Sequence, residues 1–129
     1  MRILAIAIAA LALGVSGCGQ ASHETAAQPS GIRGKITVDI GCPTITSTPC
    51  PRVPLQARLL IYSHGTHHRV AHGESDKDGF FRISLPPGRY EIQPMNITGA
   101  PVPTAHPVNV TVRARTWTSL RILFDSGVR

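Results

Sequence analysis

The sequence predicts an all-β fold: a sandwich of two sheets built from seven strands, preceded by an N-terminal export segment. Three observations carry this. After Gly31 the apolar residues come in short alternating or β-branched runs. Those runs are separated by clusters of Gly, Pro, Asp and Asn, the residues that make turns. Beyond the first segment, no stretch keeps a helical period over ten residues.

The first predicted strand runs over 32–40, with Ile32, Gly34, Ile36 and Val38 on one face because side chains alternate across a strand. Residues 41–54 read as a Pro-rich loop closed by cysteines, followed by a second strand over 55–62. Ser63-His64-Gly65-Thr66 reads as a hairpin connection into a third strand over 67–74. Asp76-Lys77-Asp78-Gly79 is a strong turn signal, because Asp caps its own turn and Gly accepts a left-handed backbone. The fourth strand, 80–85, puts Phe81, Ile83 and Leu85 on one face. Pro86-Pro87-Gly88 turns into a fifth strand over 89–98. Pro94 makes its later part an edge or a bulge, since proline cannot donate to a ladder. The sixth strand, 108–112, alternates Val108, Val110 and Val112 with polar residues, and the seventh covers 117–124. Seven strands in this span match an immunoglobulin-like two-sheet sandwich. The expected core is Ile36, Val38, Leu59, Ile61, Phe81, Ile83, Tyr90, Ile92, Val110, Val112, Leu120 and Ile122.

The chain opens differently. Met1-Arg2 precedes an apolar run from Ile3 to Val15, and small residues follow in Ser16-Gly17-Cys18. A charged start, a short apolar run and a small-residue cut site describe an export signal. The run is shorter than the roughly 20 apolar residues that span a bilayer. The sequence Val15-Ser16-Gly17-Cys18 resembles a bacterial lipobox, which implies that 1–17 is a lipoprotein signal peptide. Cys18 would then carry the lipid, palmitate included, and become the mature N-terminus. Residues 18–30 have no apolar period and read as a lipidated flexible tether, with 31–125 as the domain. A tether of this length spans on the order of 20 Å as a coil. The expected location is the extracytoplasmic face of a bacterial membrane, held there by the lipid.

The whole chain carries thirteen Lys+Arg against seven Asp+Glu, with no two basic residues adjacent. So scattered an excess does not make the basic stripe that nucleic acid requires. It fits a solvated surface, with some attraction to anionic headgroups near the anchor. Assigning Cys18 to the lipid leaves Cys42 and Cys50, an even pair in an oxidising compartment. Their spacing is not that of a zinc pair. A disulfide closing so short a loop lowers unfolded-state entropy by about 2.5 kcal/mol.

Three segments together carry a further resemblance: 31–38, then 76–90, then the closing strands within 108–124. The most specific part is the pattern Asp-x-x-Gly-aromatic-x-aliphatic-x-aliphatic-Pro-x-Gly-x-Tyr over Asp76 to Tyr90. It resembles the carboxypeptidase regulatory-like domains, a transthyretin-like or prealbumin-like β-sandwich family. The resemblance implies a fold more than an activity. Members of the family are accessory, scaffold, adhesion or carbohydrate-associated modules, so no catalysis and no cofactor are expected.

Candidate chemistry is sparse. An EF-hand reading with Gly79 at its sixth position would put Leu85 where a bidentate carboxylate belongs, so 76–79 is expected to be a plain turn. His64, His67, His68 and His72 are dense, and His68, His72 and Glu74 would share one face of a regular strand. With His64 at the tip they are candidates for zinc, copper or nickel, or for a pH-sensitive surface. Trp117 is the candidate platform for a carbohydrate ring. No G-x-S-x-G elbow marks a nucleophile. Transthyretin-like hydroxyisourate hydrolases end in Tyr-Arg-Gly-Ser, whereas this sequence closes on Asp125-Ser126-Gly127-Val128-Arg129, which argues against that reaction. The sequons at Asn96 and Asn109 read as ordinary strand composition. The expected function is a lipid-anchored β-sandwich with a structural or protein-interaction role. The alternatives are a carbohydrate-binding surface module or a metal-binding lipoprotein.

Overall fold

Alternation along each strand sorts the side chains of this domain onto two sheets. The computed structural model describes residues 29–41 and 49–128. Eight strands form: β1 (Gly31–Asp39), β2 (Arg52–Pro54), β3 (Ala57–Ser63), β4 (Arg69–Glu74), β5 (Phe80–Ser84), β6 (Gly88–Asn96), β7 (Val108–Val112) and β8 (Trp117–Phe124). The seven expected strands are present, those over 108–112 and 117–124 with the expected ends and the other five with shifted ones. The eighth, β2, lies inside the expected loop. Its three residues, which follow Pro51 and end in Pro54, carry no strand signal of their own, but they pair with the part of β1 that β5 leaves open, from Thr37 to Asp39.

The first sheet is centred on β1. β5 and β2 share one edge of it, both antiparallel, and β8 runs parallel along the other from Gly31 to Val38. The second sheet is antiparallel in the order β4-β3-β6-β7. Pro94 falls on β6 beyond Ile92, where β7 has ended, so its missing N–H leaves no gap in the β6–β7 ladder.

The two inner faces meet in one core. Ile32, Ile36, Phe81, Ile122 and Phe124 come from the first sheet, and Leu59, Ile61, Tyr90, Ile92, Val110 and Val112 from the second. Ile32, Ala57, Leu85 and Phe124 are buried although the sequence did not put them on the core list. Conversely, Val38, Ile83 and Leu120 are only partly buried. Val38 sits opposite Val53 at the end of its sheet. Ile83 lies against Gly73, which has no side chain to cover it.

Among the described residues every buried side-chain nitrogen and oxygen has a hydrogen-bond partner. The Ser75 hydroxyl accepts from the Ala57 amide at 2.9 Å and donates to the Leu55 carbonyl at 3.0 Å, fastening the start of β3 to the end of β4. Ser30, which the sequence placed in the tether, is buried and donates to the Leu85 carbonyl at 2.7 Å. The Tyr90 hydroxyl donates to the Pro86 carbonyl at 2.6 Å, tying β6 to the corner before it as tyrosine does in immunoglobulin-type sandwiches. Burial pushes the Tyr90 phenol above its usual range. The 76–79 turn is a hairpin corner. One Asp76 carboxylate oxygen accepts from the Asp78 and Phe80 amides, both at 2.9 Å, which spends it on backbone.

Candidate functional site

The histidine hairpin is β3, its tip and β4. Arg58 stands opposite Glu74, Leu60 opposite His72, and Ile61 opposite Ala71, but the next pair is Tyr62 with Arg69. One residue, Val70, is therefore extra, and a bulge of this kind breaks the period of two. The strand begins at Arg69 and not at His67, and the Ser63 amide donates to the His68 carbonyl at 3.1 Å. The shared face expected for His68 and His72 depended on unbroken alternation, and the bulge removes it. Glu74 is already engaged by the Arg58 guanidinium at 3.1 Å. Among the described residues no group of three or more His, Cys, Asp or Glu side chains is gathered to hold a metal ion. His64, His67, His68 and His72 are all exposed. His72 and Glu74, with Arg58, Leu60, Arg69 and Met95, line a shallow depression on the outer face of the second sheet. Among the described residues no serine or threonine hydroxyl is hydrogen-bonded to a histidine ring.

Trp117 is half-buried at the start of β8, beside Gly31. The Arg82 guanidinium carbon lies 3.9 Å from its ring centroid. A sugar would have to displace Arg82 or use the opposite ring face. At the other end of β1, Asp39 receives the Ser126 hydroxyl at 2.6 Å and the Ser126 and Gly41 amides at 3.3 Å. The Ser126 hydroxyl is the main reason the Asp39 carboxyl sits below its usual range; burial works the other way, and the two amides and nearby Arg52 add to the lowering.

Sequence reasoning missed the outer face of the first sheet. Arg33 and Lys35 on β1, Arg52 on β2, Arg82 on β5 and Arg121 on β8 all point outward there and are exposed. They are far apart in sequence, and the sheet brings them together. Arg33 stands directly opposite Arg82, and Lys35 directly opposite Arg121. Phe80 and Leu123 lie among them, 55% and 47% exposed. The Lys35 ammonium is 5.0 Å from the Phe80 ring centroid. Lys35, Thr37, Arg52, Phe80, Arg121 and Leu123 enclose a depression of about 430 Å³. The signal was available: Arg33-x-Lys35, Phe80-x-Arg82 and Arg121-x-Leu123 are period-two pairs, each placing its residues on one face.

Cys18 and Cys42 lie outside the described residues. Cys50 is half-buried and is not a free thiol. Among the described residues no helix is long and apolar enough to cross a membrane.

No family model and no curated protein matches this chain. Among solved structures, the Bacillus anthracis TIE protein matches with a TM-score of 0.46 and 15% identity, over 74% of this chain and 18% of that one. The matched region is thus a small part of that protein's length.

Proposed function

We propose that this chain is a lipid-anchored β-sandwich on the extracytoplasmic face of a bacterial membrane, acting as a structural or protein-interaction module without catalysis. The observation that carries the reading is Cys18, set in Val15-Ser16-Gly17-Cys18 behind a charged start and a short apolar run. The Asp76-to-Tyr90 pattern supports a carboxypeptidase regulatory-like module. Its polar members serve the fold, with Asp76 capping the turn and Tyr90 bonding the Pro86 carbonyl. In the same reading Cys42 and Cys50 are bonded to each other, as the even count left after lipidation implies.

Mass analysis of the protein purified from a membrane fraction tests both points. The expected product begins at an acylated Cys18 and is two hydrogens lighter than its dithiol form. Cys18→Ser is expected to abolish acylation, cleavage at that cysteine and partition into detergent. A Cys18→Ser variant that still matures and partitions as a lipoprotein would overturn the anchor. Two alkylatable thiols in unreduced protein would overturn the disulfide.

A further inference from the structure

The charges of the domain are unevenly placed. Eleven of the thirteen basic residues fall between 31 and 128, all but Arg2 and Arg129, as do six of the seven acids, all but Glu24. Five of those basic residues stand on the outer face of the first sheet; among the residues of its strands the one acid is Asp39, opposite Arg52 at the end of β1 and engaged by Ser126. Among the described residues none of the five is in an ion pair; the one ion pair is Arg58–Glu74, on the second sheet. The contrast is informative. Each sheet places one arginine opposite a carboxylate, Arg58 opposite Glu74 and Arg52 opposite Asp39, but the first also places Arg33 opposite Arg82 and Lys35 opposite Arg121. Like charges directly opposite across a ladder destabilise it. Two such pairs, with two exposed apolar side chains between them, would be relieved by an anionic partner that covers both.

We propose that the outer face of the first sheet docks on an anionic phospholipid surface, with the cations meeting headgroup phosphates and Phe80 and Leu123 entering the interfacial layer. This rests on the lipid-anchor reading. Basic residues beside exposed aromatic and aliphatic side chains are the composition of an interfacial face. The chain's own geometry favours the membrane over a soluble polyanion. The segment from Cys18 ends at Ser30 and Gly31, and Gly31 pairs with Trp117 at the edge of this face. Lys35 is four residues along β1, about 13 Å away. A dozen residues reach at most about 40 Å. An acyl chain on Cys18 therefore keeps the basic face within reach of the headgroups.

Trp117, the only tryptophan in the chain, stands on this face and reports on it. The full chain is incorporated into vesicles of phosphatidylcholine alone, or of phosphatidylcholine mixed with phosphatidylglycerol, each carrying a headgroup-level quencher. Sedimentation with the vesicles reads the anchor, and quenching of Trp117 reads the face. Quenching is expected only with phosphatidylglycerol, and it should fall as salt rises. The Lys35→Ala, Arg121→Ala double variant should sediment as before while its docked-to-undocked ratio drops about 30-fold. Its thermal midpoint should be equal or higher, because a like-charge pair has gone. A chain that sediments with both vesicle types without phosphatidylglycerol-dependent quenching keeps its anchor and overturns the docking. A Cys18→Ser chain still quenched at excess anionic lipid upholds the docking where the anchor fails. A Trp117 response to soluble polygalacturonate, without a vesicle response, would assign the face to an acidic glycan and overturn the proposal.

Discussion

Ser126 and Asp39 show how much a single hydroxyl can do at the end of a strand. The 2.6 Å bond from the Ser126 hydroxyl holds the Asp39 carboxyl below its ordinary value of 3.8 and ties the segment after β8 to the end of β1. Because the folded form holds its proton less tightly than the unfolded chain, it binds fewer protons in acid. The resulting stabilisation is present above the unfolded value near 3.8 and is lost as pH falls through the lower folded value. Ser126→Ala should raise the carboxyl titration midpoint of Asp39, followed by carbon NMR, and flatten the acid limb of the stability curve. An unchanged midpoint would show that the two amides and Arg52 suffice. Tyr90 works at the other extreme. Its raised phenol favours the fold below about 10.0, and that contribution is lost as pH rises through the higher folded value.

At the scale of an element, the β4–β5 corner depends on one residue. Gly79 has a φ of 82°. A Cβ there would run into the Ile36 carbonyl, which accepts from the Leu55 amide at 3.1 Å, while the Gly79 carbonyl accepts from the Ile36 amide at 2.8 Å. Gly65, at the tip of the histidine hairpin, has a similar φ of 75° with open space around it. A left-handed residue with a Cβ costs about 1–2 kcal/mol. Gly65→Ala should lose about that much stability, and Gly79→Ala clearly more, because it also displaces β1. Urea denaturation of the two variants makes the comparison, and equal losses would mean that β1 yields without cost. The β3–β4 hairpin holds a different lesson. Period-two reasoning put His68 and His72 on one face, and it failed because nothing in 67–74 announces a bulge. The bulge is a matter of pairing with β3, settled between Ile61 and Tyr62.

For the whole molecule, Phe81 is the test of the sandwich. It is buried between the sheets, on the face opposite to exposed Phe80. Phe81→Ala should cost about 3–5 kcal/mol. That is close to the stability of a small domain. Phe80→Ala should be nearly neutral for folding. Chemical denaturation followed by circular dichroism measures both, and a loss below about 1 kcal/mol at Phe81 would put it on the wrong face. By itself the sequence determined the all-β class, seven of the eight strands and most of the core, from Ile36 to Ile122. Alternation and turn chemistry are local, and 76–79 and 86–88 announce their corners without help from the rest of the chain. Only the tertiary structure decided what depends on register between distant segments. It added β2 from a proline-rich loop, brought Ser75 to the amide of Ala57, and took His68 off the face of His72. It also set Lys35 opposite Arg121, eighty-six positions later in the chain. A strand's own residues fix which side chains share a face. Which strand lies beside it is fixed by burial of the common core, and so five cations that look scattered in the sequence stand on one surface of the fold.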